Sequence, residues 1–173
     1  MKTASLADYD LYLFHQGTNY HAQEMLGAHY VFQDGRRGVR FAVWAPDART
    51  VSVVGDFNGW DTRANPLERL PDGEVWSAFL PDLPSDTIYK YAVEPPWGGP
   101  YILKADPYGF FAQQKPETAS LTYDFPDYAW GDGDWQEARQ RGDSYENPML
   151  IYEVHLGSWR RTLEGSYLSY RDL

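Results

Sequence analysis

The sequence predicts an all-β fold, an antiparallel β-sandwich, for most of this chain, and three observations predict it. From residue 39 to residue 44 the chain alternates with a period of two, Val39, Phe41 and Val43 interleaving with Arg40, Ala42 and Trp44. Turn signals such as Pro46-Asp47, Asp72-Gly73 and the cluster Pro95 to Pro100 bound short apolar runs at a spacing that suits strands. Aromatic residues make up 17% of the 173 residues, with 7 Trp and 14 Tyr, a content that serves β-rich cores and flat binding faces alike.

Taken in order, residues 1–27 form a mixed lead segment. Leu11-Tyr12-Leu13-Phe14 is a short apolar run, and His21 to Leu26 suits a turn or two of helix closed by Gly27. The sandwich, of the immunoglobulin-like kind, is expected over residues 28–124, with Val39, Phe41, Val43, Val51 and Val53 buried. Its strands are read at 39–44, at Thr50 to Gly55, at Glu74 to Leu80, and at Ile88 to Glu94 with Tyr89, Tyr91 and Val93 on one face. Tyr101 to Lys104 and Ser120 to Tyr123 suit short closing strands. Between the second and third of these strands, Asp56-Phe57-Asn58-Gly59-Trp60-Asp61 is a tight turn carrying two large rings.

Residues 125–148 change character. They are rich in Asp and Gly and poor in aliphatics, which predicts a linker. Residues 149–173 change it again. Met149-Leu150-Ile151-Tyr152-Glu153-Val154-His155-Leu156 is an apolar run of the sort buried in a parallel sheet. A Gly-containing loop follows, and Ser169-x-x-Asp172 resembles a capping box opening a helix. A strand, a loop and a helix start make half of a βαβ unit, which points to a longer α/β protein.

The bulk numbers exclude several classes. With 43% hydrophobic and 23% charged residues, a folded core is expected. The net charge of −10 repels phosphate, so neither nucleic acid nor an anionic membrane is an expected partner. The absence of cysteine removes disulfides and thiolate metal sites and suits a reducing, cytoplasmic location. No export signal or membrane-spanning run is visible. The four His are not spaced as a metal site, and no cofactor is expected.

Five stretches resemble a known family. Leu13 to Val31 (LFHQGTNYHAQEMLGAHYV) resembles the segment that precedes the carbohydrate module of bacterial glycogen (1,4-α-glucan) branching enzymes. Gly38 to Trp60 (GVRFAVWAPDARTVSVVGDFNGW) is similar to a family 48 carbohydrate-binding module. Lys104 to Leu121 (KADPYGFFAQQKPETASL) is similar to the end of that module, and Trp130, Asp132, Trp135 and Arg139 fit the family's tryptophan-bearing linker. Ile151 to Arg161 (IYEVHLGSWRR) resembles the first strand and loop of the family 13 (β/α)8 catalytic barrel. The GDFNGW turn is shared with debranching and trehalose-releasing enzymes and with regulatory glycogen-binding subunits. YEVHLGSW joined to KADPY is the sharper signature.

The resemblance implies the amino-terminal portion of an enzyme that transfers α-1,4-glucan segments to form α-1,6 branches. Its partners would be α-1,4-glucan and the catalytic barrel of the same protein. The alternatives are a stand-alone α-glucan-binding or regulatory module, or part of a maltooligosyl-trehalose trehalohydrolase or debranching enzyme. A glucose ring offers an apolar face of C–H groups and an edge of hydroxyls, which proteins meet with a flat ring and nearby polar side chains. In the family's glycogen-binding modules a turn Trp, a strand Lys and a loop Trp do this. Trp60, Lys90 and Trp97 match those positions, with Asn58 beside Trp60. Trp60 has a second reading, as a cap on one end of the core. Trp44, Phe41, Phe57, Trp76 and Phe79 are assigned to the core or its flanks, and Trp130 and Trp135 to holding the linker. No catalytic residue is assigned, because the carboxyl pair of such enzymes comes from later barrel strands, and this chain alone is expected to be inactive.

Overall fold

The computed structural model describes residues 8–71, 73–125, 129–142 and 148–173. The chain divides into two compact units, residues 1–126 and 127–173.

The first unit is the antiparallel sandwich. One sheet takes β1 (Gly27–Gln33), β2 (Arg36–Trp44), β5 (Val75–Pro81) and β4 (Glu68–Arg69), in that spatial order. The other takes β3 (Thr50–Gly55), β6 (Ile88–Glu94), β9 (Ser120–Leu121) and β8 (Phe111–Ala112), with β7 (Ile102–Lys104) also paired to β6. A two-residue turn joins β1 to β2. Asp34 and Gly35 sit there at φ 50° and 77°, the left-handed pair that matches the twist of a hairpin.

The period-two pattern of residues 39–44 places one face of β2 in the core. Val39, Phe41 and Val43 from β2 face Val51, Val53, Tyr89 and Tyr91 from the other sheet, and all lie in one buried cluster. The Phe41 and Tyr89 rings meet edge to face at 5.0 Å. Strands expected at 74–80, 101–104 and 120–123 form at 75–81, 102–104 and 120–121. The core and flank assignments divide, with Trp76 at 6% exposure and Trp44 at 49%.

The other face of β2 departs from a half-buried strand. Arg40 and Ala42 are 6% and 0% exposed although they point away from the sandwich interior. Two short N-terminal helices explain this. From α1 (Asp8–His15) Leu11, and from the end of α2 (Ala22–Met25) Met25 and Leu26, pack with Ala42 and Val75 into a second cluster. Arg40 Nη2 donates to the carbonyls of Glu24 (3.0 Å) and Met25 (3.2 Å), satisfying the last turn of α2 with a cation.

The second unit differs from its expectation in four places. The segment read as a linker contains α3 (Gly133–Arg141), exposed along its length, with Arg139 and Arg141 in the last turn favouring its dipole. Met149 to His155 forms no strand and has no ladder partner among the described residues. Leu150 is 98% and Ile151 83% exposed, since an apolar run becomes a strand only where a neighbour supplies the other half of each hydrogen bond. A short helix, α4 (Leu156–Trp159), stands where a loop was expected, and Ser169 to Asp172 closes a turn rather than opening a helix. No helix among the described residues is long and apolar enough to cross a membrane.

Candidate functional site

The turn after β3 is built around close approach. Gly55 lies so near β6 that a Cβ there would stand 2.1 Å from the Ile88 carbonyl oxygen, so only glycine fits. Asp56–Asn58 then makes one 3₁₀ turn, and the chain leaves it through two consecutive left-handed residues, Gly59 and Trp60, both at φ 62°. That conformation suits glycine but costs a bulky L-residue about 1–2 kcal/mol. Two bonds hold Trp60 in it. Its backbone N–H donates to Gly55 O (2.9 Å), and its indole Nε1–H to Asp56 Oδ1 (2.7 Å). The indole is half-buried, so its polar edge is fixed while part of the ring meets solvent.

Asn58, expected beside the sugar, spends its amide on the turn itself. Oδ1 accepts from Gly55 N (3.0 Å), and Nδ2 donates to Val53 O (3.0 Å) and Asn65 Oδ1 (2.7 Å). Both amide protons are thereby committed, and its contribution is to hold Trp60 in place.

Lys90 lies on β6 opposite Val54 of β3, one pair from Gly55↔Tyr89, so it sits at the same end of that ladder as the Trp60 turn. Tyr89 and Tyr91 point into the core, hence Lys90 faces outward, and its Nζ donates to Thr118 Oγ1 (2.7 Å). Trp97 is 84% exposed at the tip of the β6–β7 hairpin, beyond Glu94. Glu94 pairs with Thr50 at the other end of the β3–β6 ladder, five residues along β6 from Tyr89 and so about 17 Å away. The register therefore groups Trp60 with Lys90 and sets the base of the Trp97 loop apart from both.

Sequence reasoning missed the residues that support these. Thr118 and Asp56 take the polar ends of Lys90 and Trp60. Behind the surface, Asp106 is 7% exposed. Its carboxylate accepts from the hydroxyls of Tyr89 (2.7 Å) and Tyr91 (3.2 Å) and from Tyr108 N (2.8 Å). Burial pushes the Asp106 carboxyl above the usual carboxylate range, with the three donated bonds opposing. Both tyrosine hydroxyls are pushed upward, chiefly by burial. The signal was legible: two tyrosines facing inward on one strand need partners for their hydroxyls.

The sequence matches the carbohydrate-binding module 48 family (isoamylase N-terminal domain) over residues 25–109. It is 53% identical over 97% of its length to the 1,4-alpha-glucan branching enzyme GlgB of Rubrobacter xylanophilus, of which it covers 23%. The GlgB of Halothermothrix orenii is 47% and that of Marinobacter nauticus 44% identical, both over the whole chain and 27% of the relative. Among solved structures, the maltotriose complex of PulA from Klebsiella pneumoniae aligns at 26% identity over 60% of this chain and 11% of that one, with a TM-score of 0.46. The chain thus spans about a quarter of the length of the curated relatives it matches. Residues 25–109 are a carbohydrate-binding module 48, and over nearly its whole length the chain belongs to the 1,4-alpha-glucan branching enzyme family.

Proposed function

We propose that this chain serves as the amino-terminal portion of a glycogen branching enzyme, in which the sandwich of residues 28–124 holds or positions α-1,4-glucan for a catalytic barrel. Residues 125–148 would join the two, and residues 149–173 would contribute the first strand and loop of that barrel. The observation that carries the reading is the extent of the similarity to branching enzymes. It runs through residues 129–173, beyond the carbohydrate module, which a stand-alone glucan-binding module has no reason to carry.

On this reading Trp60 stacks against a glucose face, Lys90 donates to a hydroxyl beside it, and Trp97 meets the chain some units away. Asn58 and Asp56 hold the Trp60 turn. Branching itself is retaining transfer through a carboxylate nucleophile and a second carboxyl acting as acid and base. Those groups belong to later barrel strands, so this polypeptide alone is expected to leave the iodine stain of amylose unchanged.

The test is a chimera in which residues 1–173 replace the corresponding region of the Rubrobacter xylanophilus enzyme. Branching, read as new α-1,6 linkages by NMR, is expected to persist. A folded chimera that binds amylose yet forms no branches would contradict the assignment.

A further inference from the structure

Asn58 is followed by Gly59, and the sequence contains no other Asn-Gly pair. Such a pair is chemically labile. The glycine backbone nitrogen can attack the asparagine side-chain carbonyl carbon and close a five-membered succinimide, and a glycine leaves the approach to that nitrogen unhindered. The other asparagines are poorer candidates. Asn65 and Asn147 precede proline, whose nitrogen has no hydrogen to lose, and Asn19 precedes the bulky Tyr20. Gly59 is exposed, and among the described residues nothing would stand within 4 Å of a Cβ there, so sterics do not shield the pair.

The turn shields it by hydrogen bonding. Ring closure requires the Asn58 side chain to swing toward Gly59 N, and three bonds oppose that swing. Oδ1 accepts from Gly55 N (3.0 Å), while Nδ2 donates to Val53 O (3.0 Å) and to Asn65 Oδ1 (2.7 Å). The nucleophile is engaged as well, because Gly59 N–H donates to Asp56 O at 3.3 Å, which resists its deprotonation. Of these restraints the bond to Asn65 is the shortest and the only one made to a side chain, so a substitution can remove it and leave the backbone of the turn alone.

We propose that Asn58–Gly59 is a guarded deamidation site: the Asn65 side chain keeps Asn58 from closing onto Gly59, and reaction there dismantles the turn that holds Trp60. Water is the only co-reactant. The bond from Gly59 N to Asn58 Cγ forms, the Cγ–Nδ2 bond breaks, and Nδ2 leaves as ammonia with the proton from Gly59 N. Water then opens the ring at either carbonyl, leaving aspartate, or isoaspartate with the main chain rerouted through Cγ. Aspartate sets an acceptor oxygen against Val53 O and Asn65 Oδ1, where Nδ2 had donated. Isoaspartate adds a carbon to the main chain inside the turn. Either product removes the amide that ties the turn leading to Trp60 back to β3.

The experiment incubates the 173-residue chain at neutral pH, folded and in denaturing urea, and follows Asn58 by mass spectrometry of the peptide that contains it. The mass gained when NH₂ becomes OH separates this reaction from isomerisation of Asp-Gly pairs, which leaves mass unchanged. Folded wild type should react about a hundredfold more slowly than the unfolded chain, because only the open fraction of the turn reacts. Folded Asn65→Ala should react about tenfold faster than folded wild type, as loss of one hydrogen bond allows, whereas Asn65→Asp keeps an acceptor for Nδ2 and should stay near wild type. The Trp60 indole N–H resonance should move in the deamidated product. Equal rates in folded and unfolded wild type would overturn the proposal, and that comparison stands even if Asn65→Ala fails to fold. A folded Asn65→Ala as slow as wild type would overturn the guard, and an unmoved Trp60 resonance in the product would overturn the consequence for the turn.

Discussion

Two apolar runs in this chain have opposite fates. Thr50 to Gly55 (TVSVVG) and Met149 to Leu156 (MLIYEVHL) both read as buried strands. The first is β3, fully paired with β6, with Val51, Val53 and Val54 at 0% exposure. The second has no ladder partner among the described residues, and its Leu150 is almost fully exposed. Apolar sequence supplies the wish to be buried, but strand geometry needs a neighbour whose donors and acceptors face its own. The sandwich contains both halves of each pairing within about a hundred residues. On the proposed reading the second run would gain its partners from the ring of strands in a barrel.

The two runs should respond differently to truncation. Phe41→Ala removes a ring held between the sheets and should cost about 3–5 kcal/mol in a urea titration, whereas Ile151→Ala should stay within about 0.5 kcal/mol. Equal losses would mean that residues 149–156 belong to a core after all. Deleting residues 149–173 should leave the melting midpoint of the sandwich in place while reducing self-association in sedimentation, because an exposed apolar segment is removed. Loss of cooperative melting would contradict the independence of the first unit.

A subtler effect comes from Asp106. Its folded carboxyl titrates above the ordinary value, so between that value and the raised one the folded state binds more protons than the unfolded state. Its contribution is therefore most favourable in acid and declines as pH rises from about 4 through the folded value. Asp106→Asn keeps an acceptor for Tyr108 N and removes the titration. The stability of wild type relative to this variant should fall between pH 4 and pH 7, and a flat difference would refute the assignment.

Much of the sandwich was legible because its strands alternate. The β1–β2 hairpin was legible too, through Asp34-Gly35, a two-residue turn signal that the strand reading did not use. What alternation could not reveal is the cover on the outer face of β2. Arg40 and Trp44 look like solvent-facing residues, and only the placement of α1 and α2 shows that the face is partly closed. The helix at 133–141 was hidden by its Asp- and Gly-rich surroundings, which read as a linker, and nothing buried marks one face of it. At the candidate surface the residue types were legible but their grouping was not. The spacing of Lys90 and Trp97 along the chain says nothing of the register that sends the Trp97 loop to the far end of β3–β6. Asn58 was read as a ligand because an amide beside a Trp suits a sugar. Its three bonds inside the turn are set by backbone geometry that no residue count displays.

On the proposed reading, a strained, half-buried Trp60 is kept for what it presents to a ligand and not for the core. Trp60→Ala should then cost only about 1 kcal/mol of stability, since a half-buried indole gives up little packing and the left-handed strain, which comes from Cβ, is the same in both side chains. A core Trp would cost about 3–5 kcal/mol. The direct measurement pairs a melting curve with a maltoheptaose titration for wild type and for the Trp60→Ala/Trp97→Ala double variant, followed at the amides around Lys90. Wild type should bind with Kd of about 10⁻⁴ to 10⁻³ M, as expected for one or two rings at an open surface, and the folded double variant at least tenfold more weakly. An unchanged titration in a well-folded double variant would contradict the account and leave the module as a spacer that positions the barrel.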